Sequence, residues 1–327
     1  MELVACCDIR EDAAKQFAER HGVPAWYTDP MKLLAKEKLD ACCVATSDAG
    51  HAPISIAAFK KGLHVLCEKP LATSVAESRR MLAAAKKSGK MNMVNFTYRT
   101  FPALERAKEL IDEGRIGRPI HVEASYLQSW LCSKGWGDWR TKPALLWRLN
   151  RAAGGSGTLG DLGCHILDFA SRVAGDISEL SCRLARFDKN VPGERLGGYK
   201  LDADDSVFVT ARFAGGALGT IHTTRWASGH QNSLRLRVYG DRGAVEVDLD
   251  RSYETLRVCL GDVARDHAAW TELKLPVRES NMARFLRAVR NGKPESPTFE
   301  DGFKIQACLD ACLESDRTGR VVAITKR

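Results

Sequence analysis

The sequence predicts an α/β protein with a parallel-sheet domain over residues 1–120 and an α+β domain with a large, mainly antiparallel open sheet over residues 121–327. Two observations predict this class. In the first part, continuous apolar runs alternate with helical spacing, which is typical of parallel strands buried on both faces. In the second part, strand-like runs follow one another across Gly-rich turns such as "AGGALG". A chain of 327 residues is long enough for two substantial cores.

The first part contains four predicted strands separated by helices. The strands are "ELVACCDI", "LDACCVAT", "HVLCEKP" and "KMNMVNFTY". The helices are "REDAAKQFAERHG", "HAPISIAAFKKG" and "SVAESRRMLAAAKKSG". Apolar residues recur in them at helical spacing, and each is closed by a glycine, at Gly22, Gly62 and Gly89. Strands and helices in alternation predict a sheet with helices on both faces.

The second part contains six predicted strands and two terminal helices. The strands are "IHVEASYL", "SELSCRLARF", "DSVFVTARF", "ALGTIHTTRW", "SLRLRVYG" and "AVEVDL", and the helices lie near 279–291 and 300–316. Several strands alternate apolar and polar residues, so one face of the sheet is expected to be covered. The second face of "SVFVTARF" and "LGTIHTTRW" is broad, which predicts a homo-oligomer, either a dimer or a tetramer.

Composition and charge exclude several function classes. The formal net charge of +8 is scattered rather than concentrated in runs, which argues against nucleic-acid binding. No apolar run is long enough to span a bilayer, and the start "MELVACCDIRED" lacks the features of a signal peptide, so a cytoplasmic protein is expected. The eleven cysteines lie in apolar runs without a C-x-x-C pair, which predicts reduced structural thiols and no metal site.

The stretch "GTLGDLGCHILD" contains the strongest candidate for chemistry. Asp161, His165 and Asp168 lie at i, i+4 and i+7, so one helix face carries two carboxylates and an imidazole. Asp161 and Asp168 are roughly 10 Å apart along the axis, so the three cannot grip one atom. We expect Asp161 and His165 to contact a small molecule, with the histidine as proton acceptor, and Asp168 to support or flank them. A core histidine with two solvated acids, and a metal site, are the alternatives.

A second candidate lies in "HVLCEKPLA". Glu68 and Lys69 follow a buried strand, and open α/β sheets bind ligands at the carboxyl ends of their strands. Pro70 restricts Lys69 to extended conformations, and the bond between them is a candidate for the cis form. A lysine at this point can donate a hydrogen bond to a reacting oxygen. An ordinary surface Glu–Lys pair is the alternative.

Asp8 follows the first predicted strand, where an acidic residue in a dinucleotide-binding unit bonds the ribose 2′-hydroxyl and repels a 2′-phosphate. A helix N-cap is the alternative, and Arg10 could favour a phosphate, so NAD is favoured over NADP without excluding it. No G-x-G-x-x-G precedes Asp8. The one at Gly155, Gly157 and Gly160 lacks a preceding strand and is interpreted as a loop.

Lys69 in "CEKP" together with "GDLGCHILD" resembles the Gfo/Idh/MocA family, the glucose–fructose oxidoreductase and inositol dehydrogenase-like enzymes. The likeness covers nearly the whole chain, including "VATSDAGHAPISIAAFKKGLHVLCEKPLA", "YRTFPALERAKELIDEGRIGRP" and "DWR". It implies a Rossmann-type domain, an α+β substrate-binding and oligomerisation domain, and an NAD(P)-dependent dehydrogenase acting on a sugar or cyclic polyol.

The resemblance implies specific roles, carried over by position. Lys69, Asp161 and His165 match the catalytic residues, with His165 as general base, and together with Arg99 they are expected to contact substrate. The expected cofactor-binding residues are Asp8, Arg10, Thr46, Ser47, His51, Glu68, Asn95, Trp139 and Arg140. Gly160 and Gly163, lacking side chains, would let cofactor and substrate approach the helix closely.

Two departures from the family pattern bear on these expectations. Ser47-Asp48 stands where the family usually has Pro-Asn. The chain also starts where the second strand of such a domain would start, so the first strand and glycine loop are expected to be absent, and Met1 could be an internal methionine. As given, the chain is therefore expected to bind NAD(P) weakly or not at all. The alternatives to a dehydrogenase are a non-catalytic ligand-binding or scaffold protein and an NAD-using lyase or glycosidase.

Overall fold

The computed structural model describes residues 1–324. It divides into two compact units, of which the first contains Met1–Asn95 and Met282–Phe303, and the second contains Phe96–Asn281 and the chain from Lys304 onward. These bounds differ from the predicted boundary at residue 120. The difference arises because the helix Pro102–Asp112, which precedes residue 120, packs on the helix Cys164–Ala174 and on two strands of the second unit.

The helices are α1 (Glu11–His21), α2 (Pro30–Lys36), α3 (Asp48–Lys60), α4 (Val75–Ser88), α5 (Pro102–Asp112), α6 (Pro143–Leu146), α7 (Cys164–Ala174), α8 (Asp262–Asp266), α9 (Asn281–Asn291) and α10 (Phe299–Thr318). The strands are β1 (Ala5–Cys7), β2 (Ala25–Tyr27), β3 (Ala41–Val44), β4 (His64–Cys67), β5 (Asn92–Val94), β6 (Pro119–Leu127), β7 (Ile177–Ala185), β8 (Arg195–Leu196), β9 (Tyr199–Lys200), β10 (Ser206–Phe213), β11 (Leu218–Thr224), β12 (Ser233–Gly240), β13 (Gly243–Asp248), β14 (Thr255–Leu260), β15 (Thr271–Lys274) and β16 (Val322–Ala323).

Local sequence signals account for the helix ends of the first unit. The predicted stops at Gly22, Gly62 and Gly89 all have positive φ, which glycine adopts without a Cβ penalty. Helix α4 begins after Ser74, whose hydroxyl accepts a hydrogen bond from the Glu77 amide at 3.3 Å. Strand β2 and helix α2 were not predicted from the sequence, although the Asp29 carboxylate caps α2 by accepting from the Met31 amide at 2.8 Å.

The first unit contains two parallel sheets rather than the single one expected. Strand β1 pairs with β2, and β3, β4 and β5 form a separate sheet in that order. Among the described residues, no strand lies between β1 and β3 and bonds to both, so the five strands form two sheets. Behind the three-stranded sheet, Phe285 of α9 packs on Leu66 and Met93, so part of the C-terminal chain completes this core.

The second unit is built on a nine-stranded sheet in the order β15-β14-β13-β12-β6-β11-β10-β7-β16. All its neighbours are antiparallel except β6 and β11, which confirms the predicted mixed, mainly antiparallel sheet. Helix α7 packs on β6, β11 and β12. Along β10, Val207, Val209 and Ala211 are buried while Phe208 is 58% exposed, so the opposite face is open.

Two bulk properties complete the description. Within residues 1–324, no helix is long and apolar enough to cross a membrane. All eleven cysteines are free thiols, and most are at least partly buried, although Cys43 and Cys132 are exposed. Burial raises the pKa of the Cys42 thiol to about 11 and that of Cys308 to about 12, so both stay protonated near neutral pH.

Candidate active site

The helix face predicted to carry chemistry lies in the second unit, where a π-helical turn over Leu159–Gly163 leads into α7. Such turns occur frequently at functional sites. Asp161 lies in the π turn with its side chain 25% exposed, and His165 follows in the first turn of α7 with 8% of the residue exposed. Both residues are therefore held in an ordered, largely buried setting that still leaves the carboxylate accessible.

A buried carboxylate fixes the start of the π turn. Asp204 Oδ2 accepts a hydrogen bond from the Leu159 amide at 2.8 Å, and the Thr158 amide bonds the Asp204 carbonyl at 3.0 Å. Burial raises the pKa of the Asp204 carboxyl, while the Leu159 amide and two arginines oppose that rise. Gly157 has φ +69°, and a Cβ there would lie 2.0 Å from Asp204 Oδ1. The glycine is thus required by the close approach of this carboxylate.

Two arginines surround the Asp161 carboxylate. Arg225 donates from Nη2 to Asp161 Oδ2 at 3.0 Å, and Arg148 Nε lies 3.8 Å from the same oxygen. Arg225 is fully buried, whereas the Arg148 side chain is 36% exposed. These cations favour the ionised form of Asp161 and fix its orientation.

His165 lies against a group of aromatic rings. Its ring centroid is 4.8 Å from Tyr98, 6.2 Å from Tyr126 and 6.3 Å from Phe96, each with an edge-on geometry. The two phenols are hydrogen-bonded to each other at 2.7 Å. Burial raises the pKa of Tyr126 well above its usual value, so its hydroxyl remains protonated at neutral pH. This packing fixes the plane in which the imidazole can meet a substrate.

Asp168, the third residue of the predicted face, is bound to Arg99 through Nε and Nη2, with Nε–Oδ distances of 2.9 and 3.0 Å. The Arg99 side chain is 6% exposed and the Asp168 side chain is 3% exposed. Asp168 therefore supports the helix, as the spacing predicted. Arg99, expected to contact substrate, instead has its guanidinium buried on this carboxylate, because the 3-10 turn Thr97–Thr100 packs on α7.

In the first unit, the second candidate stretch has its polar groups at the carboxyl ends of β4 and β5. Glu68 accepts from Asn95 Nδ2 at 2.6 Å and from the Lys69 amide at 3.3 Å. Glu68, Lys69 and Asn95 are all partly exposed, and the bond between Lys69 and Pro70 is cis. Glu68 therefore organises this edge of the sheet rather than forming an isolated surface pair.

The remaining predicted cofactor residues of the first unit divide into exposed and buried groups. Thr46 and Ser47 are exposed after β3. His51 is fully buried, with Nδ1 2.8 Å from the Pro70 carbonyl oxygen and Nε2 3.2 Å from that of Thr46, so it joins two loops rather than facing a ligand. After β1, Asp8 Oδ1 accepts from the Arg10 amide at 2.8 Å. Its side chain is 46% exposed, and the N-cap of α1 is Arg10, not Asp8.

Trp139 and Arg140 lie in the second unit. Trp139 is 2% exposed, donates to the Leu131 carbonyl at 3.2 Å and packs in a cluster with Trp130 and several leucines. It is a core residue, contrary to the expected cofactor contact, because the loop "SWLCSKGWGDWR" folds back on itself. Arg140 lies over the Trp139 ring at 4.5 Å and donates to the Lys189 carbonyl at 3.1 Å.

The loop glycines serve the chain itself. A Cβ at Gly155 would lie 2.7 Å from the carbonyl oxygens of Asn150 and Trp147, and one at Gly160 would lie 2.3 Å from the Ser156 Cβ. The contact with Ser156 by itself favours glycine at position 160, and the expected close approach of a ligand there stays a prediction. As the sequence interpretation stated, no strand leads into the G-x-G-x-x-G: it begins in a loop at Gly155 and ends in the π-helical turn at Gly160.

Sequence reasoning missed three residues of this site, namely Arg225, Tyr98 and Tyr126. Each lies in or next to a stretch recognised only as a strand or a crossing segment, and their contacts with Asp161 and His165 span 39 to 67 positions along the chain. The one signal for Arg225 was a charged residue at the end of the alternating strand "ALGTIHTTRW".

Two family models match the chain. One is described as an oxidoreductase family with an NAD-binding Rossmann fold and matches residues 1–96, and the other is the GFO/IDH/MocA C-terminal domain and matches residues 104–246. Together they cover most of the chain, which belongs to the Gfo/Idh/MocA family of oxidoreductases. The predicted family and fold class are thereby confirmed.

Curated relatives and solved structures agree with this assignment. The levoglucosan dehydrogenase of Pseudarthrobacter phenanthrenivorans is 29% identical over 94% of this chain and 85% of its own length. The myo-inositol 2-dehydrogenase of Thermotoga maritima is 29% identical over 92% of this chain and 84% of its own. A levoglucosan dehydrogenase solved with NADH and levoglucosan superposes with a TM-score of 0.88, at 29% identity, covering 99% of this chain and 91% of that one. An oxidoreductase domain protein from Kribbella flavida reaches 34% identity and a TM-score of 0.86 with the same coverage.

Proposed function

We propose that this protein is a nicotinamide-dependent dehydrogenase that oxidises a hydroxyl group of a neutral sugar or cyclic polyol. The observation that carries the proposal is the pair Asp161 and His165, on adjacent turns of the same helix. Asp161 is bonded to a buried arginine, and His165 is packed among aromatic rings. The named relatives act on levoglucosan and myo-inositol, both neutral polyhydroxy compounds, which supports this substrate class.

His165 is the general base of the proposed reaction. Imidazole titrates near neutral pH, so it can take the proton of the substrate hydroxyl as the carbon is oxidised. Asp161, as a carboxylate, accepts a hydrogen bond from the substrate and stabilises the imidazolium that forms. Lys69, as an ammonium, donates to the reacting oxygen. These roles follow from the chemistry of the three side chains and from their match to the family motif.

The residues of the first unit fit a dinucleotide. The partly exposed carboxylate of Asp8 follows β1, and the exposed Thr46 and Ser47 follow β3. Asp8 would accept hydrogen bonds from ribose hydroxyls, while Glu68 and Asn95 offer a polar edge after β4 and β5. When bound, the nicotinamide supplies the hydride acceptor. The anionic Asp8 would repel the 2′-phosphate of NADP, so NAD is the proposed cofactor. Arg10 is a neighbouring group that would instead favour a 2′-phosphate.

We further propose a homo-oligomer, dimer or tetramer, formed through the open face of the nine-stranded sheet. Phe208 is 58% and Leu218 50% exposed there, and the Phe208 ring stacks on His222 at 5.8 Å. Exposed apolar groups of this size on a flat sheet favour self-association. Light scattering at micromolar concentration tests this, and a monomer would contradict it. A cytoplasmic location stays a prediction.

The test of the proposed function is a screen of neutral monosaccharides, anhydrosugars and inositols with NAD⁺ and NADP⁺, followed through absorbance of the reduced nicotinamide. We expect turnover with at least one member, preferentially with NAD⁺. His165→Ala should lower kcat by roughly 10²–10⁴, the usual range for a lost general base. Full activity of that variant would refute the assigned base. Absence of turnover across the panel, with no binding of either cofactor by calorimetry, would refute the dehydrogenase and favour a non-catalytic role.

A further inference from the structure

Arg225 is among the most deeply buried charged groups described in the second unit. Its side chain is fully inaccessible, and it follows β11 directly, with its amide bonded to the Asp205 carbonyl at 3.0 Å. Taking a guanidinium out of water is costly unless its donors are paired. The contacts that compensate this cost therefore indicate what the residue is for.

The guanidinium connects the Asp161 carboxylate to the backbone that leads into the π turn. One nitrogen, Nη2, lies 3.0 Å from Asp161 Oδ2 and 3.2 Å from the Gly157 carbonyl oxygen. The other terminal nitrogen lies 3.5 Å from the Arg148 carbonyl oxygen. Because these donors lie in one rigid plane, fixing the guanidinium fixes the direction of the carboxylate relative to its own helix.

Trp130 forms the platform under this guanidinium. Its ring lies 4.9 Å from Arg225 Cζ, within the range of a cation–π interaction, and both groups are buried. The indole Nε1 donates to Gln128 Oε1 at 3.0 Å. The amide of Gln128 in turn donates to Asn232 Oδ1 at 2.8 Å. Trp130 is therefore oriented by a hydrogen-bonded chain and not only by packing.

The same chain ends at the rings that hold His165. Asn232 Oδ1 accepts from the Tyr126 hydroxyl at 2.6 Å, and Asn232 Nδ2 donates to the Tyr98 hydroxyl at 3.0 Å. Tyr98 and Tyr126 are the phenols whose edges contact the His165 imidazole. A continuous set of contacts thus links the group that orients Asp161 to the groups that orient His165.

We propose that Arg225 is a positioning residue for the dehydrogenase reaction, acting through Asp161 with Trp130 as its support. The inference rests on the proposed function, since it assigns how one of the two helix-borne residues is held. A displacement of about 1 Å of a reacting group can cost about 10²-fold in rate, so this is the scale expected when the holder is removed. An ion pair with a purely structural role would stabilise the fold, but its removal would not lower the rate through Asp161.

The test is a double-mutant cycle between Arg225→Met and Asp161→Asn, with kcat, KM and the affinity for NAD⁺ measured for each variant. We expect Arg225→Met to lower kcat by about 10–100-fold in the wild-type background and by less than about threefold in the Asp161→Asn background, because the two act as a unit. Arg225→Lys should recover only part of the loss, since an ammonium cannot make the planar contacts. NAD⁺ affinity should stay within about twofold. Equal losses in both backgrounds, or no loss, would overturn the proposal.

A matched control and a turnover-independent signal keep the outcome interpretable. Arg237→Met removes an arginine paired with Glu246 on the same sheet, away from Asp161, and should leave kcat unchanged. The carboxyl pKa of Asp161, followed by carbon NMR with labelled aspartate, should rise in Arg225→Met because a cation is lost, while Arg148, His165 and Tyr126 remain around it. An unshifted pKa would overturn the proposal even if no substrate is found. A shifted pKa without any turnover would show that Arg225 holds the Asp161 carboxylate, but it would refute the dehydrogenase and with it the role of Arg225 in that reaction.

Discussion

Replacing Asp168 by Asn removes the charge that compensates Arg99 while leaving the shape of the side chain almost unchanged. The two groups are 3% and 6% exposed and share contacts from Nε and Nη2 of the guanidinium. Removing one partner of a buried ion pair strands the other charge, which typically costs about 3–5 kcal/mol. We expect Asp168→Asn to lower the free energy of unfolding of the second unit by this amount, which is a factor of roughly 150 to 5,000 in the unfolding equilibrium.

The double variant Arg99→Met with Asp168→Leu separates a stranded charge from a lost attraction. It fills the same space with apolar atoms, so its stability should lie within about 1–2 kcal/mol of the wild type, well above either single variant. The exposed pair of Arg106 with Glu113, a separation of 2.8 Å, is the control, because Glu113→Gln should cost under about 1 kcal/mol.

Denaturant unfolding followed by tryptophan fluorescence is a suitable assay. Six of the seven tryptophans, all but Trp26, belong to the second unit, so the signal reports mainly on that unit. A cost of Asp168→Asn below about 1 kcal/mol would show that Arg99 is not left as an uncompensated buried charge. So would a double variant that is as unstable as the sum of the two single variants.

Two further predictions concern stability. Glu246, whose carboxylate is bonded by Arg237 and Arg257, has its pKa held below the usual 4.5 by these cations, which outweigh the opposing effect of burial. A lowered folded-state pKa contributes stability that is present above the unfolded pKa and is lost as pH falls through the folded pKa. Glu246→Gln should therefore cost about 1–3 kcal/mol near neutral pH and progressively less below pH 4.5, and a cost independent of pH would contradict this. Gly157→Ala should lower the unfolding free energy by at least about 1–3 kcal/mol, because its Cβ meets Asp204 Oδ1 in addition to the strain of φ +69°. Gly193→Ala is the control, because this glycine has φ +64° but no atom of the described residues lies near the added Cβ, so the variant measures the backbone strain alone. Equal losses of unfolding free energy in the two variants would show that the contact with Asp204 contributes nothing.

Periodicity and helix-stop signals were sufficient to predict the fold class and the main strands and helices from the sequence. The stops at Gly22, Gly62 and Gly89 and the alternation along β10 depend on short-range backbone and burial preferences, which a single sequence displays directly. The division of the parallel strands into two sheets depends on which strands become neighbours. Strand pairing is non-local, and the sequence pattern of β1 and β3 did not reveal it.

The candidate site was predicted only as far as local spacing and motif likeness reach. The i, i+4 and i+7 positions correctly separated Asp168 from the pair formed by Asp161 and His165. Arg99 and Trp139 were assigned to ligands because polar and aromatic groups near a motif are chemically suited to them. Their actual partners, Asp168 and the Leu131 carbonyl, are a matter of tertiary packing. Arg225 was missed for the same reason, since its partner Asp161 is 64 positions away.

In the proposed reaction, His165 takes the substrate proton while hydride leaves the carbon of the same alcohol. The most direct measurement is the single-turnover rate of nicotinamide reduction with protiated and carbon-deuterated alcohol, in the wild type and in His165→Asn. We expect a rate roughly 10²–10⁴-fold lower in the variant, a primary deuterium isotope effect in both proteins, and unchanged affinity for the oxidised cofactor. A variant that reduces the nicotinamide at the wild-type rate would contradict it.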